Sequence, residues 1–175
     1  MYKHILKKKV KNLYKDIERR NNFLNLNDIN SILVLFDTSD YDEADAFVEK
    51  LINISKTVTV YAFKGKSDTY DYSDTPYNIV TAKDAFDFFD NKMSEIGDRI
   101  EGKTYDAVFD LTLERNVPLE YLLARANAKV KVGLKKNDLP QYDVSIVMPN
   151  KTEEVLTISE LGKQIVFYLH SIKTK

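Results

Sequence analysis

The stretch from Tyr105 to Gly133 constrains the fold most. It reads Tyr-Asp-Ala-Val-Phe-Asp-Leu-Thr, then Leu-Glu-Arg-Asn-Val-Pro, then Leu-Glu-Tyr-Leu-Leu-Ala-Arg-Ala-Asn-Ala, then Lys-Val-Lys-Val-Gly. A short apolar run, a proline-opened segment with helical character and a second apolar run closed by Gly133 make a strand, helix, strand unit. Two buried parallel strands need such a crossover, because a tight turn cannot return the chain in the same direction.

The rest of the chain repeats the theme. Ser31 to Phe36 is a continuous apolar run between Asn30 and Asp37, the pattern of a strand buried on both faces. It is taken as the first and central strand. Asp37 to Glu43 supplies a cap and an acidic first turn for a helix over 41–54, with Ala44, Phe47, Val48, Leu51 and Ile52 as its stripe. Thr57 to Phe63 is rich in β-branched residues and reads as the second strand. A punctuated loop follows over 64–76, then a weak strand over 77–81. The region of Phe86, Phe88 and Phe89 takes no assignment. A helix is expected over 93–100, a polar turn over 135–140, a strand over 142–148 and a turn at Pro149 to Lys151. The last helix is expected over 158–172, with Phe167 and Tyr168 counted on its apolar face. Residues 25–30 read as a polar connector. The fold class is therefore α/β: a three-layer, Rossmann-like, mostly parallel sheet with helices on both faces, carrying an amphipathic basic helix at its N-terminus. The 175 residues fit one domain, with 1–24 as the first helix and 30–175 as the core.

That first helix is the most charged element. Leu6, Val10, Leu13, Ile17 and Leu24 recur at helical spacing, while Lys3, Lys7, Lys8, Lys9, Lys11, Lys15, Arg19 and Arg20 face Asp16 and Glu18 alone. Lys7, Lys8, Lys9 and Lys11 form a candidate anion-binding surface, for an acidic protein partner, acidic lipid or RNA. A solvated, packed helix would show the same pattern. The whole chain holds 26 basic and 27 acidic residues, a net charge of −1, so no global field draws it to nucleic acid. Tyr61 and Tyr70 could stack bases, but the 64–76 loop around them is net acidic, so nucleic acid is not the expected partner.

Ligands of open α/β sheets bind beyond the carboxyl ends of the strands, where the strand order reverses. Here that edge carries Asp37, Thr38, Ser39 and Asp40 after one strand, and Asp110, Thr112, Glu114 and Arg115 after another. If the two strands are neighbours, Asp37 and Asp110 could approach and hold a divalent cation. The same aspartates could equally close strands and cap turns. No metal or cofactor is assigned. The chain has no cysteine, which removes disulfides, thiolate zinc and thiol nucleophiles. It has two histidines, His4 and His170, at opposite ends, with no triad partners evident. Residues 37–43 lack glycine, so no phosphate-cradling loop follows the first strand. No apolar run reaches the roughly 20 residues of a transmembrane span, and no apolar leader core follows the basic N-terminus. A cytoplasmic protein is expected.

Tyr105 to Leu111, Leu119 to Ala128 and Val130 to Gly133 resemble the N-terminal half of heptosyltransferase-like glycosyltransferases of the GT-B fold, with Ser31 to Phe36 as the opening strand. The glycine–aspartate pair of that family is replaced by Asp37-Thr38-Ser39-Asp40, and the chain leaves no room for the sugar-nucleotide domain. The resemblance thus implies a Rossmann-like half without transferase activity. The layout, with its basic first helix and its closing helix over Gln164 to Ile172, also resembles an uncharacterised bacterial family of unknown function. Tyr105 to Leu113 resembles the phosphoacceptor strand of receiver domains, with Asp110 as acceptor. The interval from Asp37 is too long for that, and the expected adjacent acidic pair is absent.

The expectation is a non-catalytic binding or scaffold domain. The alternative is a small metal-dependent enzyme, or a nucleotide or phosphosugar binder, working through the acidic strand-end cleft. Association with anionic lipid or RNA through the first helix is a third possibility.

Overall fold

The computed structural model describes residues 2–15, 22–87, 91–147 and 155–173. Six strands form one sheet: β1 (Ser31–Asp37), β2 (Thr57–Lys64), β3 (Asn78–Thr81), β4 (Thr104–Asp110), β5 (Asn127–Leu134) and β6 (Val144–Ile146). Their order is β3-β2-β1-β4-β5-β6, and every pairing is parallel. This is the doubly wound order, and the expected α/β class holds. The chain winds outward from β1 to β3, returns past β1, and winds the other way from β4 to β6. The strand order therefore reverses between β1 and β4.

Six α-helices are described: α1 (Tyr2–Lys15), α2 (Tyr41–Asn53), α3 (Ala82–Phe86), α4 (Lys92–Glu101), α5 (Val117–Arg125) and α6 (Ile158–Ser171). They split by sheet face. Ile32, Val34 and Phe36 of β1 meet Phe47, Val48 and Leu51 of α2 and Leu161, Ile165 and Leu169 of α6. Leu33 and Leu35 point the other way, to Leu6, Val10 and Tyr14 of α1 and Leu119, Leu122 and Leu123 of α5. The period of two along β1 thus feeds two separate cores, which is why the run shows no polar alternation.

Several junctions depart from the sequence reading. The first helix does not reach residue 24, because 22–25 are not helical; Ile17, Arg19 and Arg20 lie outside the described residues. Residues 25–30 are no plain polar connector. Asn25 caps a short 3-10 turn, Leu26–Asp28, whose Leu26 and the following Ile29 are fully buried. Phe86 ends α3, whereas Phe88, Phe89, Met148 and Pro149 to Lys151 lie outside the described residues. On α6, Ile158, Leu161, Ile165 and Leu169 are buried, but Phe167 is 68% exposed and Tyr168 47%. At 100° per residue Phe167 falls opposite the stripe and Tyr168 on its flank.

Local chemistry explains the element ends. Asn116 caps α5 by accepting from the Leu119 N–H, with proline in the first turn. Thr157 and Glu160 form a capping box on α6, as Thr81 and Asp84 do on α3. The buried Lys131 of β5 donates to the Leu123 carbonyl near the end of α5.

Candidate functional site

Three neighbouring clusters occupy the carboxyl edge of the sheet. The first is centred on Asp110, the last residue of β4, which is only 2% exposed. Its Oδ1 accepts from the Thr112 N–H at 2.9 Å and the Thr112 hydroxyl at 2.6 Å. Its Oδ2 accepts from the Tyr142 hydroxyl at 2.6 Å and from Lys136 Nζ at 3.1 Å. Lys136, equally hidden, also donates to the Thr112 carbonyl at 2.9 Å and to its hydroxyl. Burial, followed by the Asp110 charge, pushes the Tyr142 phenol well above its ordinary range, so it remains a donor. Gly133 sits opposite Asp110 in register. A Cβ there would stand 2.6 Å from the Tyr142 ring, so the glycine is the space through which Tyr142 reaches the carboxylate.

The second cluster lies at the reversal between β1 and β4. Asp37 closes β1, accepting from the Ser39 N–H at 3.0 Å and the Asn116 amide at 2.9 Å. The latter bond ties the end of β1 to the cap of α5. Beside it opens a cavity of about 340 Å³, lined by Asp37, Ser39, Asp40, Thr112, Leu113, Glu114, Arg115 and Asn116. Arg115 does not neutralise its acids. Its Nε bonds both oxygens of buried Glu120, at 3.0 and 3.1 Å, and Asn137 adds a third bond to Glu120. The Asp40 carboxyl is raised above its ordinary range by partial burial and by the charges of Asp37, Glu43 and Glu114, against a lowering bond from Ser39.

The third cluster is on the outer side of β1. Thr38 is buried and its hydroxyl donates to Asp68 at 2.5 Å. It therefore faces the β2–β3 loop and not the reversal. Tyr72 also donates to Asp68, and its ring packs at a tilt against Tyr41 and Tyr70, with ring centres 5.1 and 4.8 Å away. The Thr38 bond leads in holding Asp68 below the usual carboxylate range.

Of the residues expected together, Asp37, Ser39, Asp40, Thr112, Glu114 and Arg115 share one cavity wall. Asp37 and Asp110 lie on adjacent strands, as their pairing requires, yet each is held by partners of its own. Tyr61 is buried while Tyr70 is 67% exposed, so the two do not form one stacking platform. Among the described residues no group of three or more acidic or histidine side chains is disposed to hold a metal ion. The partners missed from sequence are Lys136, Tyr142, Asn116 and Glu120. The signal available for two of them was the Gly133 register position and the asparagine just before Val117-Pro118.

The second candidate surface is α1. Leu6, Val10 and Tyr14 are 7%, 0% and 5% exposed, so the helix is docked on the domain. Lys3, Lys7, Lys8, Lys9, Lys11 and Lys15 all point to solvent, and the helix carries no acidic residue.

A model of a family of unknown function matches residues 3–172, nearly the whole chain. The chain belongs to DUF6913. The match to DUF6913 spans both α1 and α6. No curated protein and no solved structure matches the chain. No described helix of this DUF6913 chain is long and apolar enough to cross a membrane.

Proposed function

We propose that the chain is a non-catalytic binding or scaffold domain that engages an acidic protein surface through α1. The observation that carries this is the docked helix with its six exposed lysines and no acid of its own. Such a helix works against itself. Lys3, Lys7, Lys11 and Lys15 repeat every four residues, a like-charge spacing that weakens helices. No acid offsets the positive end of its dipole. Local rules broken without a local gain mark functional surfaces. The buried Asp110 cluster supports the same reading, since its carboxylate is spent on Thr112, Tyr142 and Lys136. In this reading the resemblance to a GT-B half reflects a shared scaffold without transferase activity, working in a bacterial cytoplasm, which the cysteine-free sequence suits.

The test is binding to a defined acidic probe, poly-glutamate, compared with phosphatidylserine vesicles and single-stranded RNA. We expect the acidic polypeptide to bind, and K7E/K8E/K9E/K11E to lose it. Equal binding by that variant would refute the role of α1, and a preference for vesicles or RNA would replace the partner class.

The cavity at the strand reversal favours a second reading, a small metal-dependent enzyme or phosphosugar binder in which two carboxylates, Asp37 and Asp40, would meet a hard cation or sugar hydroxyls. Calorimetry with magnesium or manganese separates the two. Binding that Asp37→Asn abolishes would favour the second reading.

A further inference from the structure

The charges of this chain are balanced in number but separated in space. The 2–15 segment holds six lysines and no acid; the 37–49 segment holds Asp37, Asp40, Asp42, Glu43, Asp45 and Glu49 and no base. On α1 the exposed Lys8, Lys11 and Lys15 lie on the side away from the buried Leu6–Val10–Tyr14 stripe, spaced i, i+3, i+7, beside Ile5 and Asn12. On α2 Asp42, Asp45 and Glu49 lie on the side away from Ala44, Phe47, Val48 and Leu51 with the same spacing, flanked by the exposed Ala46 and Lys50. Each row spans seven residues, about 10 Å of helix. Asp42 and Glu49 are exposed; Asp45 is half-buried and accepts the Tyr77 hydroxyl through one oxygen. The acidic row runs on to Ile52, 53% exposed, which adds apolar area beside it.

We propose that the lysine row of α1 docks on the acidic row of α2 of a second copy of this chain. This rests on reading α1 as a protein-binding surface, and it names the partner. Charge complementarity in sign, number and spacing favours it over a flat anionic surface, for which α1 offers, among the described side chains, only Ile5 as an exposed large apolar residue. A net charge near zero removes the global repulsion that would keep copies apart. The two rows lie on opposite faces of the sheet, since α1 packs with α5 and α2 with α6. The contact is therefore head-to-tail, which builds rings or open chains, and not a two-fold dimer. Its strength follows salt, because both rows are solvent-exposed.

The experiment is sedimentation velocity on the full chain over a concentration series, in about 20 mM and about 0.5 M salt. At low salt the weight-average mass should rise above 20.3 kDa with concentration, and at high salt it should return to that value. K8E/K11E/K15E and D42K/E49K, all at exposed positions, should each associate about 10-fold or more weakly. Mixing the two should restore association, because each then meets an oppositely charged row. A wild-type chain that stays monomeric at low salt overturns the proposal, as does a mixture no heavier than its components. If the monomeric chain still binds poly-glutamate through α1, only the choice of partner falls. If it binds neither itself nor that probe, the reading of α1 falls with it.

Discussion

Lys136→Met tests whether the buried Asp110 cluster is an internal lock or a reactive centre. The substitution keeps the length and apolar stem of the side chain and deletes the charge. At 3.1 Å the Lys136–Asp110 attraction is about 5 kcal/mol at an effective dielectric near 20. Much of that only offsets the desolvation of two hidden ions. Removing one partner leaves the other buried and uncompensated, which costs about 3–5 kcal/mol. In a domain of this size that is a fall of about 6–20 °C in Tm. Three bonds from Thr112 and Tyr142 remain on Asp110, which argues for the lower end. Asp110→Asn should cost a similar amount by orphaning Lys136. The double variant should lose less than the sum, by about 2 kcal/mol, because it removes both charges at once. Urea unfolding followed by far-UV circular dichroism measures all four chains. Single variants as stable as the parent, or more stable, would refute the lock. That is the outcome for residues held in place for chemistry at the expense of stability.

Other substitutions probe the same edge and its opposite end. Gly133→Ala should destabilise by about 1–3 kcal/mol by driving Tyr142 off Asp110, measured by urea unfolding and by faster amide exchange in 139–143. Asn116→Ala should cost about 1–2 kcal/mol, since it removes both the α5 cap and the tie to Asp37; unchanged stability would show that neither bond matters. Asp106 anchors the amino end of β1, accepting from the Asn30 and Ser31 N–H groups and from Lys129. The Lys129 bond, then those backbone bonds, hold its carboxyl far below the usual carboxylate range. Its contribution is therefore complete above about pH 4, the unfolded value, and is lost as pH falls towards the folded one. Asp106→Ala should cost about 2–4 kcal/mol at neutral pH, with the gap to the parent closing in acid; a gap that widens in acid would contradict the assignment. Gly162→Ala should loosen the α2–α6 contact by about 1–3 kcal/mol, because a methyl there meets the Phe47 ring at 2.6 Å.

What the sequence made legible follows from what each signal encodes. The unbroken run Ile32 to Phe36 announces a strand with a core on each side, and β1 has them. Strand order is a different kind of information. It emerges only when the α3–α4 segment carries the chain back past β1, and the sequence around Phe86 gave no periodic signal for that return. The cavity at the reversal was legible because Asp37 and Asp110 end apolar runs. The partners of Asp110 were not, since Lys136 stands in a turn whose residues look solvated and Tyr142 opens an expected strand, until the fold brings both onto the carboxylate. Phe167 and Tyr168 show the converse error, apolar residues assigned inward by type when their angular position on α6 turns them out.

The two ends of the molecule thus use charge in opposite ways. At the strand ends, Asp110 meets Lys136 and Glu120 meets Arg115, so opposite charges close on each other and lock loops in place. On α1 the exposed lysines form no ion pair among the described residues, and Leu6, Val10, Leu13 and Tyr14 hold the helix from beneath. Pairing satisfied inside the fold stabilises it and leaves nothing to recognise a partner. Charge left unmatched adds nothing to the fold and remains free to act outside it. By that criterion the proposed binding surface is the basic helix, and the acidic row on α2 is the partner proposed for it.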